Sequence, residues 1–243
     1  MSKNEITSFE ADGYIYIGEY LVVEDEEDDC EFDWKVPHGK GKLTFPNGDI
    51  YWGDFFEEEI EGYGICIYTN GDKYIGQWKD SLWDGKGKLI QNDRLIYKGT
   101  FKQGEIHGVA ICTHEREICY MGQFRNGVAH GNGVEITKES KYKGEISNGK
   151  YHGHGKEIFT EGEIYQGQYV SGSFNGNGSY TFRNGNRWVG EFKDNRMVGE
   201  GIFYTMNGMT EAKSWKDDYR NTEGLTIKSE KYLSETIMES KIL

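Results

Sequence analysis

Four histidines stand at one repeated place in this sequence: His38, His107, His130 and His152 each come directly before a glycine. Imidazole titrates near neutral pH and is a common general acid or base. A residue that recurs in register, however, serves the fold or a surface stripe, so catalysis is not expected of them. Cys112, His114 and Cys119 carry metal-ligand chemistry, yet their spacing matches no zinc pattern. Cys66 and Cys112 share one repeat position, where cysteine reads as a small apolar residue. The many Gly-x-Gly pairs evoke phosphate loops, but none continues to Gly-x-Gly-x-x-Gly or supplies Gly-Lys-Ser/Thr. The acidic run Glu24, Asp25, Glu26, Glu27, Asp28, Asp29 lacks the spaced oxygen ligands and turn glycine of a calcium loop. It reads as a solvated loop or as a contact to a basic partner. No catalytic residue, cofactor or metal is therefore expected, and function must lie in surfaces.

Those residues sit in an internal repeat, which a search for periodicity finds first. The pattern is Tyr-x-Gly-x-aromatic, then six residues, then Gly-x-Gly; Tyr74, Gly76, Trp78, Gly85 and Gly87 show it whole. Its lead residues are Tyr16, Tyr51, Tyr74, Tyr97, Tyr120, Tyr142, Tyr165 and Trp188, mostly 23 residues apart. Within each copy Tyr74, Gly76 and Trp78 alternate with Ile75, Gln77 and Lys79, a period of two that predicts a strand with one aromatic face and one polar face. The paired glycines and Leu89 continue the aromatic face on a returning strand. Asn47-Gly48, Asn70-Gly71, Asn184-Gly185 and Asn207-Gly208 mark turns between copies, because Asn-Gly tolerates positive φ. Glycine weakens a strand, so its repetition needs a reason. The one expected here is room for an aromatic ring lying flat on a neighbour's backbone.

The repeat resembles the MORN family (membrane occupation and recognition nexus), whose signature is a Tyr-x-Gly-x-Trp opening and a Gly-x-Gly return. The resemblance runs from about Tyr14 to Trp215. It implies an all-β, elongated, twisted, single-layer antiparallel sheet of about eight hairpins, or about 16 strands, used as a scaffold. Residues 1–13 read as an N-terminal segment and 14–225 as the array, with an acidic insertion at about 21–36 and a degenerate last repeat at about 211–225. Residues 226–243 read as a capping helix, with Leu233, Ile237, Met238 and Ile242 on one face.

Composition narrows the partners. The net charge of −13 opposes nucleic acid, which needs a basic field, and disfavours an anionic membrane. The N-terminus lacks the features of a signal peptide, and the four cysteines show no disulfide or zinc spacing, so a reducing cytoplasm is expected. The remaining partners are proteins of a multi-subunit assembly, with a homodimer among them. The resemblance extends to MORN proteins of the radial-spoke-head type, which implies a cytoskeletal, ciliary or axonemal scaffold; a membrane or phosphoinositide tether and a targeting subunit of a separate enzyme are the alternatives. The expected contact surface is the aromatic face: Tyr51, Phe55, Tyr74, Trp78, Tyr97, Phe101, Tyr120, Phe124, Tyr165, Tyr169, Trp188 and Phe192. Either that face forms an open groove, or twist and residues such as Leu43 and Leu89 close it. Specificity is expected in the acidic run and the C-terminal apolar residues.

Overall fold

The computed structural model describes residues 6–23, 34–114 and 117–215. The chain divides into two compact units, Met1–Glu117 and Ile118–Leu243. The first contains β1 (Ile6–Ala11), β2 (Tyr14–Val23), β3 (Trp34–Thr44), β4 (Ile50–Phe56), β5 (Glu59–Ile67), β6 (Lys73–Lys79), β7 (Leu82–Gln91), β8 (Arg94–Lys102) and β9 (Glu105–His114). The second contains β10 (Glu117–Arg125), β11 (Val128–Ile136), β12 (Ser140–Ser147), β13 (Lys150–Phe159), β14 (Ile164–Val170), β15 (Ser173–Thr181), β16 (Arg187–Lys193), β17 (Arg196–Tyr204) and β18 (Thr210–Trp215). Within each unit every strand pairs antiparallel with its sequence neighbours, giving a single-layer meander. Among the described residues there is no helix. The proposed capping helix and the acidic run both lie outside the described residues.

Two kinds of turn make the meander. Inside a hairpin, two residues suffice: Asp80 and Ser81 have φ of 49° and 59°, the doubly positive geometry whose twist matches paired strands. Between hairpins the loop is longer. Gly48 donates to the Phe45 carbonyl at 2.9 Å, and the Asn47 side chain accepts from the Asp49 N–H at 3.0 Å. Successive hairpins are also joined at their tips: the amides of Ser81, Gly104 and Gly172 donate to the carbonyls of Ile60, Trp83 and Tyr151 of the preceding repeat, at 3.1, 2.9 and 2.8 Å. A hairpin that is marginal alone thus gains partners along its whole length.

The eighteen strands among the described residues exceed the sixteen that eight hairpins supply. The additions are β1, formed within the segment before the array, and β18, formed where the repeat decays. β1 pairs with β2 through Phe9↔Tyr16, and their rings lie 5.1 Å apart. β18 pairs with β17. Each thereby satisfies one outer edge of the hairpin array in its own unit, where open backbone groups invite aggregation.

The repeat glycines have two different causes. In the second repeat Gly53 faces Gly64 and Phe55 faces Ile60, so Asp54 alone lies across from Glu61, Gly62 and Tyr63. This bulge requires Gly62 at φ +77°, a conformation a Cβ disfavours. Gly64 is needed for space instead. The Tyr51 ring lies flat against Gly53 and Gly64, and a Cβ on Gly53 would fall 2.6 Å from the Gly64 Cα. The ring therefore covers glycines of its own hairpin rather than those of a neighbour, as the sequence pattern suggested. The Tyr51 hydroxyl then donates to the bulged Asp54 carbonyl at 3.0 Å. Tyr74, Tyr120, Tyr142 and Tyr165 repeat the bond to Gln77, Gln123, Glu145 and Gln168 at 2.9, 3.1, 2.7 and 2.8 Å.

Gly122→Val is expected to destabilise its unit by about 3 kcal/mol or more, because the new side chain meets the Tyr120 hydroxyl and lies 2.6 Å from the Gly133 Cα already at Cβ, with nowhere to relax. Lys79→Val, on an exposed site, is expected to stay within about 0.5 kcal/mol. Urea denaturation of both variants measures the difference; equal midpoints would contradict the packing described.

Candidate interaction surface

The aromatic face is closed. Tyr51, Tyr74, Tyr120, Tyr165 and Trp188 have no accessible surface, and Phe55, Trp78, Tyr97, Phe101, Phe124, Tyr169 and Phe192 have at most 7%. These twelve residues, the ones the sequence singled out for contact with a partner, are the core. Closure comes from a residue class that the repeat pattern did not flag, at the start of each returning strand. Trp83 stacks on Tyr74 at 4.5 Å, Tyr151 on Tyr142 at 3.6 Å and Phe174 on Tyr165 at 3.7 Å. Glycine thus covers one side of the ring and this residue the other. The next repeat closes the edge, as in the T-shaped pair of Tyr51 with Trp78 at 5.2 Å and of Tyr165 with Phe192 at 5.0 Å. Such contacts add to the burial of the rings themselves.

Burial raises the phenol pKa values of Tyr51, Tyr74, Tyr120, Tyr142 and Tyr165 on this face, since a phenolate there would lose its hydration. Tyr16 and Tyr180 are pushed up to about 12, and burial pushes the Cys66 thiol up to about 11. Two carboxylates share the interior of the second unit. Tyr151 donates to Glu135, and Glu157 accepts from the Ser140 hydroxyl at 2.6 Å and the Tyr169 hydroxyl at 3.3 Å. They occupy the register held by Cys66 and Leu89 opposite Tyr51 and Tyr74 in earlier repeats. Polar groups there need partners, and the neighbouring phenols provide them.

The opposite face, expected to be polar, carries the exposed apolar surface. Directly behind the glycine row of the first unit, successive strands place Ile17, Lys42, Trp52, Ile65, Ile75 and Lys88 side by side. Ile17 is 45% exposed, Trp52 40% and Ile65 37%, with Tyr63 at 55% two residues from Ile65. The Lys42 ammonium lies 5.4 Å from the Trp52 ring, within cation–π reach. Trp52 and Ile65 were legible in the sequence as alternating positions, but alternation assigns faces without saying which face becomes covered.

The histidines do not converge. His38, His107, His130 and His152 belong to different strands, β3, β9, β11 and β13, and the His38 ring packs on Phe56 at 5.5 Å. Cys66 and Cys112 are buried on the aromatic face and Cys119 is partly exposed. Among the described residues no three His, Cys, Asp or Glu side chains form a metal-binding group.

A feature of the pattern that sequence reasoning passed over is the residue between the first glycine and the aromatic: Glu19, Asp54, Gln77, Thr100, Gln123, Glu145, Gln168 and Glu191 all carry a side-chain oxygen. Five of the bulges show why. Asp54, Gln77, Gln123, Glu145 and Gln168 accept from the amides of Tyr63, Lys86, Asn132, His154 and Asn177 at 3.0, 2.7, 2.8, 2.7 and 3.0 Å. These N–H groups, in the middle of Gly-x-Gly, would otherwise lack a cross-strand partner.

Comparison with known proteins matches the MORN repeat eight times, at residues 31–50, 53–73, 74–94, 97–115, 120–138, 142–164, 165–187 and 188–210. Over 74 residues the chain is 34% identical to a protein of Plasmodium berghei named inactive protein tyrosine kinase pTKL; the match takes in 30% of this chain and 5% of that protein. Among solved structures, the TCP domain of SAS-4 (dCPAP) from Drosophila melanogaster, in complex with a proline-rich motif of Ana2 (dSTIL), aligns at 10% identity, covering 81% of this chain and 90% of that one. Its TM-score is 0.31, so nothing about function follows from it.

The raised phenol pKa values fix the sign of an alkaline effect. A folded-state pKa above the unfolded value leaves stability whole below about pH 10 and removes it as the unfolded chain ionises first, by up to about 1.4 kcal/mol per tyrosine for each further pH unit. The urea midpoint is expected to fall steeply from pH 10 to 12, and Tyr180→Phe is expected to soften that slope. A flat profile to pH 12 would show that the phenols are not buried.

Proposed function

Because the chain belongs to the MORN-repeat family, matched from residue 31 to 210, we propose that it is a non-enzymatic scaffold that binds other proteins through the open face of its sheet. MORN repeats support a scaffold for proteins or for membranes. The observation that carries the protein reading is the exposed pair Trp52 and Ile65 on neighbouring strands of the first unit, with Ile17 beyond Lys42 in the same row: large apolar side chains that no second layer of the described residues covers mark an interaction site. The net charge of −13 supports the same choice, since anionic bilayers attract basic surfaces at about 1 kcal/mol per Lys or Arg. The assembly in this reading is cytoplasmic and cytoskeletal, with the radial-spoke class of cilia as the leading setting; its support is the resemblance of a repeat-built chain to that class.

A tagged chain carrying Trp52→Ser and Ile65→Ser tests the surface. Both side chains are exposed, so the melting temperature is expected to change little, while recovery of native partners and incorporation into the assembly fall at least tenfold. Undiminished incorporation of the double variant would overturn the assignment of this face.

A further inference from the structure

Behind the glycine row of the second unit, the open face is basic. Successive strands β10 to β14 place Met121, Val134, Lys143, Lys156 and Gln166 side by side, with Lys143 directly opposite Lys156 in the hairpin β12–β13. Like charges facing each other across strands destabilise a sheet. No ion pair or hydrogen bond among the described residues relieves either ammonium group. Both are exposed, as are Lys141 and His154 beside them. The acid at the rim, Glu145, turns its carboxylate onto the amide of His154 at 2.7 Å and lies 3.7 Å from that imidazole.

The lysines border a trough of about 640 Å³ whose floor includes Gly133, Gly144, Gly155 and Gly167. Tyr120, Tyr142 and Tyr165 cover those glycines from the other side, so the floor cannot yield, and the absence of side chains lets another backbone come close. Five strands at about 4.8 Å give a trough about 20 Å long, the span of about six extended residues. We propose that this trough binds an extended acidic peptide segment of a partner protein, carboxylates against Lys143 and Lys156 and backbone against the glycine floor. Binding removes the cross-strand repulsion that the free chain bears. The chain's own excess of acid does not prevent this, because at physiological salt charges act over only about 8 Å. An anionic bilayer fits less well, since a broad surface of this acidic chain would approach it together with the trough.

The inference rests on the open face being the working face, and adds the chemistry of one occupant. Fluorescein-labelled octaglutamate, titrated into the full chain and followed by anisotropy at physiological salt, is expected to bind saturably. Lys156→Glu is expected to weaken that binding at least tenfold while leaving the melting temperature equal or higher, because it turns a Lys–Lys pair into a Lys–Glu pair. Lys98→Glu makes the same exchange at the pair Lys88↔Lys98 of the first unit and is expected to leave the affinity within twofold. Absence of octaglutamate binding, equal affinity of the Lys156→Glu variant, or loss of binding with Lys98→Glu alone would each overturn the proposal. Binding to phosphatidylinositol-bisphosphate vesicles without octaglutamate binding would overturn it in favour of a membrane. None of these results bears on Trp52 and Ile65, which lie in the other unit and answer to the incorporation assay.

Discussion

A tyrosine ring laid on two facing glycines is the contact on which each repeat depends. It sets the spacing of the motif, because the ring at Tyr51 reaches Gly53 two residues ahead and Gly64 on the returning strand. It also demands the bulge beside it. The hydroxyl needs an acceptor inside the layer, and the carbonyl of Asp54, freed from the ladder by the bulge, provides one at 3.0 Å. The bulge in turn requires Gly62 in a left-handed conformation and an oxygen-bearing side chain at position 54. One aromatic contact thus dictates four surrounding residue types. Such consistency between local and global preference is what lets a sequence specify one structure.

That contact also explains how a single layer keeps a core. A sheet with two solvent-facing sides buries little, and hydrophobic residues make up only 36% of this chain. Flat rings pressed on bare backbone, stacked on their far side by residues such as Trp83 or Phe174, bury large area with few side chains. The backbone behind the glycines is left with shallow relief, and the side chains flanking them stand out. In that row the first unit presents Ile17, Trp52, Ile65 and Ile75 among Lys42, Lys88 and Lys98, and the second presents Lys143 and Lys156 among Met121, Val134 and Gln166. The repeat therefore separates its two faces: one holds the fold, and the other is free to vary.

Much of this was legible in the sequence, for definite reasons. The eight lead positions, the hairpins and the aromatic side of each strand follow from a period of two carried on a period of 23. What periodicity could not supply was which side would end covered. The aromatic residues looked like a contact surface because the pattern showed Tyr, Gly and Trp but not the cover provided by Trp83, Tyr151 and Phe174, whose residue type changes from copy to copy. Both glycines of Gly-x-Gly looked alike, and only the backbone angles separate Gly62, needed for its φ, from Gly64, needed for its missing side chain. β1 was invisible because Ile6–Ala11 lacks the repeat glycines: it pairs with an edge and need not house a ring.

Ring-current shifts report directly the seating of the tyrosines on paired glycines. Hα protons of Gly64, Gly87, Gly133 and Gly155, which face Tyr51, Tyr74, Tyr120 and Tyr142, are predicted to move well upfield in the proton spectrum. Those of Gly71 and Gly127, with nothing within 4 Å of their Cβ positions, are predicted to keep ordinary values. Upfield shifts on the paired glycines that vanish with the facing tyrosine replaced by leucine would establish the contact; ordinary shifts on all six would contradict it.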